Sequence, residues 1–207
     1  MNPSVQTLRK KFPEAVDRAL LSCGDTIAYV TAGSLHAVME FLKTDPGQDY
    51  NYLVDVTAVE YRDAERPLEL VYELFSLHRG AQLRIKVELD KSAELEVASV
   101  VDLWAGANWM EREVYDMFGV HFTGHPDLRR ILMWETYAEG HPLRKDFPLR
   151  GRFSRSEQVR QALNANPEAH YSMEELSIAE EYGELPLEMR ERLARGERGT
   201  IPEPGAS

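Results

Sequence analysis

The sequence predicts an α+β fold: a mixed sheet with an antiparallel meander, packed by helices and followed by a long extended C-terminal arm. Three observations lead there. Runs of strand-like residues lie between about residues 50 and 90, segments of helical period flank them, and from Gly119 onward glycines and prolines interrupt every period. A chain of 207 residues with 43% hydrophobic content is long enough to bury a core as one domain with an appendage. The expected organisation is an α+β domain over residues 1–118, a basic and aromatic docking arm over 119–155, and a tail with short helices over 156–207, for which a free tail is the plainer interpretation and one that wraps a partner the sharper.

The first helix is expected where Val5, Leu8, Phe12, Val16, Ala19 and Leu20 recur at helical spacing between charges. A short buried strand follows at 26–31. Gly33 and Ser34 then open a second helix that runs to about Lys43 and stops at Asp45-Pro46-Gly47. This strand-turn-helix unit lacks both GxGxxG spacing and a Walker lysine, so ordinary helix entry is the simpler interpretation. Residues 50–61, 68–78 and 82–90 read as a meander, with a polar loop at 62–67 and a tight turn at Arg79-Gly80. Leu83, Ile85, Val87 and Leu89 alternate with Arg84, Lys86, Glu88 and Asp90, whereas residues 70–77 are apolar on both faces apart from Glu73, as a covered central strand requires.

From about Glu94 the period becomes helical again, with Val100, Leu103, Trp104, Ala107, Met110, Val114, Met117 and Phe118 on one stripe that Gly106 divides. Glu111, Arg112, Glu113 and Asp116 lie on the other side, with Arg112 and Asp116 one turn apart and able to pair. The plainer interpretation of that cluster is a solvated helix face; the sharper one is a set of charges aimed at a partner or at the arm. Residues 119–155 carry seven basic side chains (Arg129, Arg130, Arg144, Lys145, Arg150, Arg152, Arg155) against four acids, a local charge of +3 in a chain of net charge -11. Phe122, Leu128, Ile131, Leu132, Met133, Trp134, Tyr137, Phe147, Leu149 and Phe153 are interleaved there, content that disordered linkers lack. An irregular segment both basic and apolar fits one that docks, on its own domain and on a neighbour.

Composition excludes more than it assigns. The overall negative charge opposes a general nucleic-acid binder, which needs clustered cations against phosphate. Cys23 is the one cysteine, which rules out an intramolecular disulfide and Cys-ligated zinc or iron-sulfur sites from this chain alone. A buried, inert thiol is expected there. No window offers the roughly 18–20 apolar residues of a membrane span. His121 and His125 are four apart but lack the HExxH glutamate, so metal binding at His121, His125 or His141 is not expected. Glu111 and Glu113 point about 200° apart on a helix and form no carboxylate dyad. There is no GxSxG elbow or Gly-rich phosphate loop.

The run Glu111-Arg112-Glu113-Val114-Tyr115-Asp116-Met117-Phe118-Gly119-Val120 continues through Gly124-His125-Pro126-Asp127-Leu128-Arg129-Arg130-Ile131-Leu132 to His141-Pro142-Leu143-Arg144-Lys145-Asp146-Phe147-Pro148-Leu149. It resembles the C subunit of bacterial proton-pumping NADH-quinone oxidoreductase, respiratory complex I, and the likeness covers most of residues 20–150. The resemblance implies a non-catalytic scaffold component of the peripheral arm, without a cofactor of its own, on the cytoplasmic side of the membrane and touching it only through the complex. FMN and iron-sulfur clusters, which carry electrons from NADH to quinone, would be held by other subunits. The implied main partner is the D subunit of that complex, which is hydrogenase-large-subunit-like in fold, together with other peripheral-arm subunits. The signature positions carried over are Glu111, Arg112, Glu113, Asp116, His125, Arg129, Arg130, Arg144, Lys145 and Phe147. Glu111, Arg112, Glu113 and Asp116 are expected to form an ion-pair network with Arg129, Arg130 or Arg144, fixing the arm so that residues 147–149 reach the D subunit. The equivalent component of a membrane-bound hydrogenase, or of a dehydrogenase with another electron donor, is an alternative. A stand-alone acid/base enzyme using Glu113 and a histidine is a remote one.

Overall fold

The computed structural model describes residues 2–161 apart from 64, 135, 150, 155 and 156. It has the expected α+β architecture. A five-stranded mixed sheet runs in the order β1-β2-β5-β4-β3, from β1 (Val16–Ser22), β2 (Asp25–Val30), β3 (Tyr52–Val59), β4 (Leu68–Ser76) and β5 (Ala81–Leu89). All neighbours are antiparallel except β2 and β5. The tail expected at 156–207 lies outside the described residues, save for a helical turn at 157–161.

The first helix is shorter than its apolar spacing predicts. Helix α1 spans Pro3–Lys11, with the Asn2 side chain accepting the Ser4 N–H at 3.0 Å and Pro3 at a position where a missing N–H costs nothing. It stops because Pro13 excludes Phe12 from helical geometry, and Phe12 takes φ -128°, ψ 66° instead. Val16, Ala19 and Leu20, counted by period with the helix, belong to β1. The β1–β2 hairpin turns at Cys23-Gly24, where both residues have positive φ (52° and 95°), the requirement of a two-residue turn that follows the strand twist. Cys23 is therefore exposed at a turn, not buried.

After β2 a single 3-10 turn (Ala32–Ser34) leads into α2 (Leu35–Thr44), which ends at Asp45 before Pro46. The chain emerges at the far edge as β3 and returns through β4 to β5. Register places Leu70, Tyr72 and Leu74 of β4 opposite Val87, Ile85 and Leu83 of β5, all fully buried in one core cluster with Val5, Leu8, Val38, Met39, Leu42, Val114 and Met117 from the helices. Each such aliphatic side chain contributes about 1.5–3 kcal/mol by leaving water. The other sheet face carries charges in pairs: Lys86 meets Glu69 at 2.6 Å, Arg18 meets Glu88 at 2.6 Å, and Arg84 joins Asp25 to Glu73.

The second departure lies at residues 94–106. The apolar stripe predicts helix there, yet the backbone forms a short strand, β6 (Glu96–Ala98), followed by turns. Val97 pairs in parallel with Phe122 of β7 (His121–Thr123), and Ser99 N–H donates to the Thr123 carbonyl at 2.9 Å. Val97, Val100 and Trp104 are buried, so their spacing reports burial without reporting helix. Only α3 (Ala107–Phe118) is helical, and it packs on β3. It ends at Gly119, which has φ 80° and donates its N–H to the Tyr115 carbonyl at 2.9 Å. A Cβ at Gly119 would lie 2.6 Å from the His141 ring, so glycine is required there twice over.

Candidate functional site: an arm held by buried carboxylates

Beyond Gly119 the only strand among the described residues is β7, so the arm cannot satisfy its backbone N–H groups through regular structure. Buried carboxylates take that role. Asp116, fully sealed near the end of α3, receives on Oδ2 the N–H groups of Ile131 (3.0 Å), Leu132 (2.8 Å) and Met133 (2.8 Å). Its Oδ1 receives the Arg130 guanidinium at 2.6 Å. Successive backbone N–H groups converging on one anion form a concave nest, and hydrogen bonds to an ionised group exceed neutral ones. Burial alone would raise the Asp116 pKa, but the N–H bonds led by Met133, together with Arg130, outweigh it and hold the carboxyl below its usual range.

Two further carboxylates repeat the device. Glu60, just after β3, accepts the Lys145 N–H at 2.7 Å and lies 3.5 Å from Arg144 Nε. Glu139 accepts the N–H groups of Arg152 (2.6 Å) and Phe153 (3.2 Å) and the Gln158 side-chain amide at 2.9 Å. Both are buried. Sequence reasoning misses both, because a glutamate that accepts backbone N–H groups from an irregular segment has no spacing to betray it.

The end of α3 is satisfied from the same arm. Asp116 O accepts from Arg130 Nη1 (3.3 Å) and from His141 Nδ1 (3.0 Å), and Met117 O accepts the Leu143 N–H at 3.1 Å. These are among the carbonyls that a helix terminus leaves without an intrahelical donor, and cationic Arg130 also complements the negative end of the helix dipole. Arg130 reaches the Gly140 carbonyl at 3.1 Å too and sits 5.3 Å from the Tyr137 ring centroid. Arg112, buried, forks onto the carbonyls of Arg129 and Arg130, both at 3.1 Å.

The predicted ion-pair network is thus largely a backbone network. Of the anticipated partners only Asp116 and Arg130 form an ion pair; Arg112 does not pair with Asp116 but grips carbonyls, because the arm brings main chain rather than side chains to that face. Arg129 is exposed and pairs with Asp127, and Arg144 goes to Glu60 and Asp146. Glu113 is exposed and, among the described residues, its side chain makes no hydrogen bond or ion pair. Lys145 is exposed, and Phe147 is half-buried. His125 Nε2 donates to the Asn108 carbonyl at 3.2 Å while Nδ1 accepts the Asp127 N–H at 3.0 Å, tying the start of the arm to the first turn of α3.

Glu111 behaves differently from its neighbour on the same helix. Fully buried, it accepts Ser99 Oγ–H at 2.6 Å and the Val100 N–H at 2.8 Å, fixing the turn after β6. Burial pushes its pKa up to about 7; the two hydrogen bonds oppose this and the Asp102 charge adds to it. The buried Tyr72 hydroxyl, without a hydrogen-bond partner among the described residues, is held well above its ordinary range by desolvation and by the Glu111 charge. A raised carboxyl can mark acid/base catalysis, but Glu111 is sealed from solvent and lines neither of the two principal surface pockets. Among the described residues no group of three His, Cys, Asp or Glu side chains is arranged to hold a metal ion, and no helix is long and apolar enough to cross a membrane.

Comparison with known proteins covers the sheet from within β2 onward, α3 and the arm together. Residues 28–153 match the family described as "Respiratory-chain NADH dehydrogenase, 30 Kd subunit". The C subunit of NADH-quinone oxidoreductase from Brucella ovis is 42% identical over 144 residues, 70% of each chain. NADH-ubiquinone oxidoreductase subunit 9 of Reclinomonas americana is 42% identical over 145 residues, again 70% of each. Among solved structures, the trypsin-resistant fragment (1–134) of Nqo5 superposes with a TM-score of 0.52 at 27% identity, covering 61% of this chain and all of the fragment. A chain of the membrane-bound sulfane sulfur reductase, an archaeal respiratory membrane complex, shares the fold with a TM-score of 0.58 at 24% identity, over 70% of this chain and 84% of that one.

Proposed function

The chain belongs to the respiratory-chain NADH dehydrogenase 30 kDa subunit family, and on that basis we propose that it is the non-catalytic scaffold component of an NADH-quinone oxidoreductase. On this reading it sits in the peripheral arm on the cytoplasmic side of the membrane and docks mainly on the hydrogenase-large-subunit-like D subunit. Electron transfer from NADH through FMN and iron-sulfur clusters to quinone, and its coupling to proton translocation, belong to the other subunits. The observation that carries the reading is the division of labour in the arm. Its backbone is fixed to its own domain by Asp116, Glu60 and Glu139, while Leu132, Leu143, Leu149 and Phe153 remain exposed. Large apolar side chains on an ordered, basic segment are what a partner surface takes up, because the backbone is already fixed and only side-chain freedom is lost on binding.

The test is co-purification of the full chain with the D subunit, comparing wild type with Leu149→Asp and with a truncation after Gly119. Both changes are expected to abolish a stable complex. Retention of the complex by the truncated chain would place docking elsewhere.

A further inference from the structure

Between the end of α3 and the arm lies a pocket of about 240 Å³, walled by Leu95, Phe118, Phe147 and the backbone of Gly119 and Gly140. Arg144, Arg152 and His141 line it, with Asp146 as the one opposing charge. We propose that this pocket receives a single acidic side chain, Asp or Glu, from the docked partner; the proposal rests on the docking reading above and specifies the chemistry of the contact.

Size comes first. The volume lies below the roughly 300–1,000 Å³ of pockets that enclose cofactors and drug-sized ligands, and it suits one carboxylate with its connecting carbons. The lining carries two guanidiniums, of which Arg144 is loosely engaged by Glu60 and Asp146 and Arg152 by neither. Among the described residues the Arg152 guanidinium makes no hydrogen bond or ion pair, and lies 6.0 Å from the Phe147 centroid. Arg144 comes nearest to Glu60 and Asp146 at Nε, 3.5 and 3.6 Å away, longer than the roughly 2.7–2.9 Å of a good charge-assisted bond, and its guanidinium makes no hydrogen bond among the described residues, which leaves it able to take up a carboxylate. His141 spends its Nδ1–H on Asp116 O, so Nε2, beside Gly119, is the acceptor nitrogen of the neutral ring and the contact with a carboxylate falls to the two arginines. Asp146 is largely solvent-exposed, so its charge is screened more than that of a group inside.

Position supports the same occupant. Exposed Leu143, Leu149 and Phe153 are interspersed along the chain with the lining residues Arg144, Phe147 and Arg152, so the pocket belongs to the same stretch of the arm as the apolar side chains proposed to dock. The chain as a whole carries -11, so an acidic partner group meets a favourable field only at a local basic patch such as this one.

The experiment measures the affinity of full-length chain for the D subunit in wild type, Arg152→Glu and Leu149→Asp, with melting temperature recorded for each. Arg152→Glu is expected to weaken association at least tenfold with little change in melting temperature, since among the described residues the Arg152 side chain makes no hydrogen bond or ion pair and meets only the Phe147 ring, at 6.0 Å. A photo-crosslinking residue at Phe147 should then mark the partner segment, and Asp or Glu→Arg at the marked position should restore binding to Arg152→Glu. If Leu149→Asp weakens binding while Arg152→Glu stays within twofold of wild type, the pocket proposal is overturned and the docking reading stands. If neither variant matters, the docking reading fails and takes the pocket with it.

Discussion

The sheet and the arm satisfy the same backbone groups by opposite means. Along β4 and β5 nine consecutive residue pairs share one antiparallel ladder, so each hydrogen bond is supported by neighbours and by a core on one face. From Gly119 to Phe153 there is one short strand among the described residues, and the amides of Ile131, Leu132, Met133, Lys145, Arg152 and Phe153 end on three carboxylates. A ladder spreads its stability over many residues. A carboxylate anchor concentrates it in one side chain, which makes the arm's backbone hydrogen bonds sensitive to single substitutions and to pH in a way that those of the ladder are not.

Asp116→Ala is expected to do the most damage, and to do it on the arm alone. It strands the Arg130 charge and three backbone N–H groups, and the loss of one partner from such a buried network costs about 3–5 kcal/mol. Amide hydrogen exchange at residues 131–133 should accelerate strongly while exchange in β4 and β5 keeps its wild-type pattern; uniform acceleration would show that arm and sheet unfold as one unit. Lowering the pH should act in the same direction, since a carboxyl held below its ordinary range stabilises above the unfolded-state pKa and loses that contribution as pH falls through the folded value.

Glu111 responds to pH with the opposite sign. Its folded pKa of about 7 exceeds the ordinary 4.5, so the folded state binds more protons over that window, and stability falls as pH rises from 4.5 through 7. The implied swing is on the order of 3 kcal/mol. Glu111→Gln, which keeps an acceptor for the Val100 N–H, should flatten this limb of the stability profile in denaturant titrations at pH 5 and pH 8. An unchanged profile would mean that Glu111 is ionised at low cost.

Smaller effects follow at the outer anchors. Glu60→Ala leaves the Lys145 amide without its acceptor, a loss of about 1–3 kcal/mol, and should raise exchange at Lys145 without touching residues 131–133. Glu113→Ala, on the exposed face, should change stability by no more than about 0.5 kcal/mol, and a larger drop in thermal denaturation would reveal a partner for it within the chain.

The difference between ladder and anchor also decides what is legible in the sequence. The meander can be read because alternation at Leu83, Ile85, Val87 and Leu89 is the direct imprint of a half-covered ladder. Helix period misleads at Val16–Leu20 and at Val100–Trp104, where apolar residues three and four apart are wholly or partly covered in a strand and in turns; Pro13 carries the correction in the first case, and nothing local does in the second. At α3 the residues that matter are visible as a signature, but their burial is not. Charged side chains read as solvated unless their acceptors or donors can be foreseen, and here those are main-chain groups of an irregular segment. Glu60 and Glu139 are hidden for the same reason.

The spacing of the three anchors sets an order of events during folding. The Asp116 nest closes over 17 residues at Met133, and Glu139 closes over 13 at Arg152, whereas the Glu60 contact with Lys145 must close a loop of 85. Loop entropy makes that last closure about 1.4 kcal/mol costlier than the first. Once α3 has packed on β3 and the Leu143 N–H has reached the Met117 carbonyl, only a short span is left to close between Glu60 and Lys145, so the Asp116 nest and the end of α3 lower the cost of the outer anchor.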